Sequence, residues 1–356
     1  MDKPEKVLIS AMKNEGPYIL EWVAHHRVLG FDKIVVYTND CSDGTNRILR
    51  RLQELGLVEF HQNRVGAGGI HRSALRQARR LPVVKTAKWI YVCDADEFLN
   101  IHVGRHKVDD LINATKNIDV ISIPWKIFSN NGRHVLRNKL VTEQFIDGEL
   151  DHEQGGANRR FVKSIFRQSD FYSRYGLHNP HPKPDCQVSM FRSVPGGPVK
   201  QRAPFSNHVA PPFGLEIAQI NHYAVRSTQA YLIKRSRGRA NHSSQLLGTK
   251  YWDRWNRGGS PDRSILRYKN EVAGVLDELK SDNDLNRLHK IAFQWHKKLV
   301  ANLMELPEYK ALYRDLKKKP AVNFVKRDRR VIKPISTDVT FSSDVEGSAT
   351  PQGRSA

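Results

Sequence analysis

The first 126 residues alternate short apolar runs with amphipathic stretches, and this alternation restricts the chain to a small set of α/β folds. Residues 6–11 (KVLISA), 33–37 (KIVVY), 57–60, 89–93 (WIYVC) and 119–124 read as strands from their β-branched and aromatic content. Between the first two, Ile19, Trp22, Val23 and His26 recur at helical spacing, with Pro17 suited to a first turn and Gly30 to a stop. Further helices are predicted over 46–55, closed by Gly56, over 71–80 and over 108–115. A strand–helix series of this kind predicts a Rossmann-like, mostly parallel sheet with helices on both faces, whose ligands bind at the carboxyl ends of strands. After residue 126 the rhythm breaks. Residues 126–225 are rich in Gly, Pro, His and Asn, with strand-like runs at 160–166 and 217–223. Helical periodicity returns at 228–236, 265–279 and 285–302, so 241–335 reads as a basic helical region. Residues 336–356, rich in Ser, Thr and Gly, read as a disordered tail.

Charge follows the same division. Of 58 Lys and Arg against 37 Asp and Glu, residues 1–150 hold 22 basic and 18 acidic, leaving most of the net +21 to the remainder. Such an excess favours an anionic partner but does not choose among nucleotide, acidic glycan, membrane surface and nucleic acid. Residues 317–333 carry eight basic side chains and one acidic, a candidate peripheral contact with anionic membrane. No run approaches the 18 apolar residues of a membrane-spanning helix, and the start lacks a signal-peptide stretch. Cys41, Cys93 and Cys186 form no CxxC pair. The reading is a soluble cytoplasmic protein, peripheral at most to the inner face of the membrane.

The sharpest local signal is Asp94-Ala95-Asp96, two carboxylates emerging together at the end of an apolar strand. Unpaired burial of both is very costly. A hard divalent cation, Mn²⁺ or Mg²⁺, removes that penalty and bridges to a diphosphate. A second acidic loop, Asn39-Asp40-Cys41-Ser42-Asp43-Gly44-Thr45, ends the second strand. There Asp40 suits a base or ribose, and Asp43-Gly44-Thr45 suits a turn and helix cap. Neither GxxxxGK[ST] nor a strand–GxGxxG–helix fingerprint occurs, which removes the main support for P-loop and dinucleotide readings.

Taken together, Glu21-Trp22 with His25-His26, the loop from Tyr37 to Thr45, and the run from Trp89 to Leu99 resemble the family 2-type glycosyltransferases, closest to the branch that includes family 92. Ile123-Pro124-Trp125, Lys163-Ser164-Ile165 and Asn221-His222-Tyr223 extend the resemblance to about residues 5–240. It implies a GT-A fold, a nucleotide-sugar donor and Mn²⁺ or Mg²⁺. It makes 1–126 the nucleotide-sugar half and 127–240 the acceptor half of one catalytic domain. It sets Asn14, Glu15, Asn39, Asp40, Asp43, Arg72, Asp94 and Ala95 against the donor. Asp94, Asp96 and His222 become metal ligands, Lys234 and Arg237 diphosphate contacts, and Trp125, His178 and His181 acceptor-side residues. Arg64 and His71-Arg72 stand at donor-side positions, although the aromatic and Gln pattern expected there is missing.

An inverting transfer also needs a carboxylate to take the acceptor's proton. Glu97, Glu143, Asp147 and Glu149 are the candidates; Glu143 is favoured by its place after the Trp125–Arg133 segment, and Glu97 reads as support for the metal pair. The function expected is transfer of a hexose, from a UDP-sugar, to a glycan or lipid-linked acceptor, with no nucleic acid partner. The alternatives are a sugar-phosphate nucleotidyltransferase and a non-enzymatic binder of polyanions or membrane surfaces. Met12-Lys13-Asn14-Glu15-Gly16 is not the glycine- and basic-rich loop that the nucleotidyltransferase requires.

Overall fold

A computed structural model describes residues 5–115, 118–151, 159–186, 188–192, 199–201, 206–209, 213–238 and 247–322. The tail at 336–356 and most of the basic run at 317–333 lie outside them.

The opening series is β1 (Lys6–Met12), α1 (Ile19–Val28), β2 (Lys33–Thr38), α2 (Thr45–Glu54), β3 (Glu59–Gln62), α3 (Ile70–Ala78), α4 (Pro82–Lys85) and β4 (Trp89–Val92). Strands β3, β2, β1 and β4 lie side by side and are all parallel. Alternation along each strand feeds two cores. Leu8, Val36 and Tyr91 pack with α1 and α2, whereas Val7, Ile9, Val35 and Ile90 pack with α3 and α4. Helices therefore cover both faces, as the periodicity predicts.

β5 (Glu97–Ile101), α5 (Val108–Thr115), β6 (Val120–Ile127), α6 (Val141–Gln144), β7 (Asp147–Glu149) and β8 (Arg160–Arg167) follow. Here the pairing changes character. β8 enters between β4 and β6, antiparallel to both. Beyond come the β9 (Tyr172–Arg174) and β10 (His181–Pro182) ribbon, then β11 (Val188–Arg192), β12 (Val199–Gln201), β13 (His208–Val209) and β14 (Ala218–His222). β14 bridges β5 and β6, antiparallel to the first and parallel to the second.

α7 (Thr228–Ser236), α8 (Thr249–Trp255), β15 (Gly259–Pro261), α9 (Lys269–Ser281), α10 (Asn283–Leu303) and α11 (Pro307–Lys317) complete the described chain. α9 packs on α1, and α10 packs on α2 and α7. The contact is close. A Cβ at Gly16 would stand 2.7 Å from the Cβ of Ala292 on α10, so only glycine fits where the chain enters α1.

Three boundaries differ from expectation. The third strand starts at Glu59 because Leu57 N still donates to Leu52 O, closing α2 past Gly56. The Asp94-Ala95-Asp96 segment that ends the fourth strand is only a short turn, since β5 begins at Glu97. The predicted 265–279 helix is a 3₁₀ segment at Ser264–Tyr268 followed by α9.

Candidate active site

The acidic turn is held from four directions. Glu97 N donates to Asp94 O at 3.1 Å, and Asp94 N donates to Glu97 Oε2 at 2.8 Å. Trp22 Nε1, from α1, donates to both Asp94 O and Glu97 O at 3.1 Å. Tyr223 N, just past β14, donates to Asp96 O at 2.8 Å. With its backbone so engaged, the turn presents both aspartates to a cleft of 360 Å³ beside the carboxyl ends of β1 and β4.

Cations meet each acid of this cleft. Lys163 Nζ, fully buried on β8, lies 2.9 Å from Asp94 Oδ2 and 3.4 Å from Glu97 Oε2. Lys234 Nζ, on α7, donates to Asp96 Oδ2 and to Ala224 O, both at 2.8 Å. Glu15 accepts from Arg226 Nη1 at 2.8 Å and pairs with Arg237 Nη2 at 2.6 Å. Arg226 also donates to Ala95 O at 2.9 Å, and Arg237 to Lys13 O and Asn14 O. Buried ions are tolerated when each meets an opposite charge, as these do, although Glu97 Oε1 and Arg226 Nε stay buried without a hydrogen-bond partner.

The titration shifts follow. Burial pushes the Asp94 carboxyl up, but Lys163 and His71 outweigh it and hold it below its ordinary value. Burial likewise opposes ionisation of Asp96, and Lys234 and His222 hold it well below. Glu97 goes the other way: burial, with Asp94 alongside, raises it against the pull of Lys163. His178 is pulled down to about 4, first by burial and then by Lys163. It is therefore neutral at pH 7, and its Nδ1–H donates to Val162 O at 2.8 Å, leaving Nε2 as the lone-pair nitrogen.

Most of the expected site residues converge here. Glu15, Asp94, Ala95, Asp96, Trp125, His178, His222, Lys234 and Arg237 all line the cleft. Others do not. Asp43 is a structural cap: Oδ1 accepts from Thr45 N and Oγ1, and Oδ2 accepts from Gly16 N and His296 Nε2, so no oxygen is left for a donor. Asn14 is spent joining the loops after β1 and β2, through Ser42 N and Oγ. Asp40 is exposed at the end of β2, with Asn39 Nδ2 on its Oδ2 at 3.2 Å, and neither lines the cleft. Arg72 faces a separate hollow with Gly68, and His181 sits in the β9–β10 ribbon beside Arg174.

Neither candidate base reaches the cleft. Glu97 is wholly buried beneath the turn, and Glu143 sits on α6, paired with Lys269 at 2.9 Å. α6 faces away because Glu21 on α1 takes its amino end, accepting from Val141 N at 2.6 Å and Thr142 N at 3.0 Å. Asp147 and Glu149 are likewise outside the cleft lining. Lys163, Arg226 and Trp255 are contributors that sequence reading did not assign. For Lys163 a signal existed, a lone charge inside the run FVKSIF that follows Arg160.

Among the described residues, no group of three or more His, Cys, Asp and Glu side chains is arranged to ligate one metal ion. The turn offers a pair instead. Asp96 Oδ1 lies 3.7 Å from His222 Nε2, and the other His222 nitrogen is buried without a partner. A carboxylate oxygen and an imidazole nitrogen so placed fit a hard divalent ion that takes its other ligands from phosphate oxygens and water.

Residues 12–184 match the family model for Glycosyltransferase family 92. A Glycosyltransferase family 92 protein of Ricinus communis is 26% identical over 159 residues, which is 42% of this chain and 25% of that protein. The chain therefore spans about a quarter of that relative. Among solved structures, S. aureus TarS 1–349 in complex with UDP-GlcNAc is similar with a TM-score of 0.32, at 12% identity, over 85% of this chain and 92% of that one. The S. cerevisiae mannosyltransferase Ktr4p in complex with GDP has a TM-score of 0.24, at 12% identity, over 38% and 43% of the two chains. No helix among the described residues is long and apolar enough to cross a membrane.

Proposed function

We propose that this chain is a metal-dependent glycosyltransferase of GT-A type, moving a hexose from a nucleoside-diphosphate sugar, a UDP-sugar, to a glycan or lipid-linked acceptor with inversion. One observation carries the reading: Asp94, Asp96 and His222 share a strand-end cleft with Lys234 and Arg237. The match of residues 12–184 to the family 92 model supports it.

Electrostatics says what the donor needs. In the cleft network, Glu15, Asp94 and Asp96 face Lys163, Arg226, Lys234 and Arg237, while burial holds Glu97 toward its neutral form. The one surplus cation does not offset the charge of an entering diphosphate. Mn²⁺ or Mg²⁺, held by Asp96 and His222 with Asp94 nearby, supplies Lewis-acid stabilisation of the departing diphosphate when bound. Lys234 and Arg237 sit beside the leaving phosphates and meet the charge that develops on them.

The acceptor hydroxyl oxygen attacks the anomeric carbon. The bond from that carbon to the diphosphate oxygen breaks, and its electron pair leaves with the nucleotide. The hydroxyl proton passes to Nε2 of His178, which Val162 O fixes in the required tautomer. Its low basicity rises once a diphosphate adds negative charge nearby.

The test is a donor screen that measures nucleotide release with Mn²⁺ and with EDTA, alongside UDP affinity by calorimetry. The wild type should release UDP with Mn²⁺ and fall to background with EDTA. Asp96→Asn should lose about a hundredfold or more in turnover. Equal turnover in the variant would sink the metal assignment, and absence of UDP binding would sink the donor.

A further inference from the structure

A second cavity, of 220 Å³, opens beside the cleft and shares Trp125, Phe161, Arg254 and Trp255 with it. Its remaining wall brings in Arg159, Arg160 and Arg257, so four guanidinium groups surround a space that contains one carboxylate, Glu149. That carboxylate is already committed. It lies 3.4 Å from both Arg160 Nη1 and Arg257 Nη1. Among the described residues, Arg159 and Arg254 have no carboxylate within ion-pair distance.

The pocket is built rather than incidental. Arg160 is 2% exposed, its Nη groups donate to Trp125 O at 3.2 Å and Leu150 O at 2.8 Å, and its Nε is buried with no partner. The Arg254 guanidinium lies over the Trp255 ring at 5.0 Å, which fixes its direction. Trp125 meets Phe161 at 5.1 Å and Trp255 at 5.8 Å between ring centroids, and its indole N–H is buried without an acceptor. Aromatic faces suit the apolar face of a pyranose ring. Paired guanidinium groups suit a carboxylate or phosphate, which they bind in two-pronged fashion.

The donor diphosphate does not explain this cluster. Lys234 and Arg237, its expected partners, line the cleft and not this pocket, while Arg159 lines the pocket and not the cleft. We infer that the pocket is an acceptor subsite for an acidic sugar chain, with a ring against Trp125 and Trp255 and its anion between Arg159 and Arg254. The inference rests on the glycosyl-transfer reading and narrows its acceptor to glycans carrying a carboxylate or a phosphate.

Calorimetry with three oligosaccharides of equal length, one ending in a uronic acid, one bearing a phosphate and one neutral, tests it in the presence of UDP and Mn²⁺. The wild type should bind at least one acidic probe about tenfold more tightly than the neutral one. Preference for the uronic acid alone, or the phosphate alone, identifies which anion the subsite takes. Arg159→Ala with Arg254→Ala should erase the preference, and Arg254→Lys should restore part of it, since a point charge replaces the fork. Equal affinity for all three probes, or a preference that survives the double substitution, overturns the subsite. UDP affinity of the wild type is read separately, so failure of the donor assignment is not confused with failure of this one.

Discussion

The two parts of the sheet contribute opposite charges to one cleft. The parallel part, β3-β2-β1-β4, leads into the acids Glu15, Asp94, Asp96 and Glu97, all within the first hundred residues. The later part supplies the cations: Lys163 from β8, Arg226 after β14, and Lys234 and Arg237 from α7 and its end. The asymmetry of charge along the chain is thus resolved locally. Neither part is electrically complete, because each alone would leave buried like charges uncompensated. The site therefore lies on a seam, and the seam is also what holds the two parts together.

Cutting the seam at its most buried point should have the largest effect. Lys163→Met removes the ammonium shared by Asp94 and Glu97 and leaves the cleft-lining Asp94 carboxylate and the buried Glu97 carboxyl group without it. Breaking a buried pair from one side costs about 3–5 kcal/mol. Chemical denaturation should show that loss, and adding Glu97→Gln should recover part of it. If Lys163→Met unfolds like the wild type, the charges of the two parts are not coupled through β8.

How much of this was legible in the sequence divides along the same seam. β1, β2 and β4 declare themselves, since their apolar runs are bounded by turn residues within a few positions. The acidic turn was visible because both aspartates are adjacent to a strand end. Lys163 was not assigned, because what makes a buried lysine tolerable lies 69 and 66 residues earlier, at Asp94 and Glu97. Glu143 was favoured as a base for a comparable reason. Where it points depends on α6 docking on Glu21, a contact across 120 residues that no local pattern reports. Asp43 shows the reverse: its turn-and-cap role is local, and the structure keeps it.

A smaller effect separates the two parts by pH. His25, on α1 in the first part, is pulled down to about 4 by burial, although its hydrogen bond to Leu99 O at 2.8 Å pulls the other way. Between pH 6.5 and about 4 the unfolded chain binds a proton that the folded chain refuses. Stability from this group is therefore full above 6.5 and lost as pH falls through that window, by on the order of 3 kcal/mol at its acid end. His25→Gln should flatten this part of the acid limb in a plot of unfolding free energy against pH. An unchanged limb would place the acid sensitivity in the other buried imidazoles, His26 on the same helix or His178 in the second part, which burial also pulls down.

The smallest effect expected is the one that discriminates best between mechanisms. Glu143 is about a third exposed and pairs with Lys269, so Glu143→Gln removes a surface ion pair worth at most about 1 kcal/mol. Because Glu143 does not line the cleft, kcat and its pH profile should stay at wild-type values, whereas His178→Ala should lose turnover about a hundredfold or more. The contrast is decisive because a general base and a surface carboxylate differ in what rescue they permit. Added imidazole can enter the space left at residue 178 and return part of the rate, and nothing comparable is available to a carboxylate on the outer side of α6. A fall in kcat for Glu143→Gln with UDP affinity unchanged would mean that α6 turns inward when the acceptor binds. The first part of the chain, through Glu21, would then control the chemistry that the second part performs.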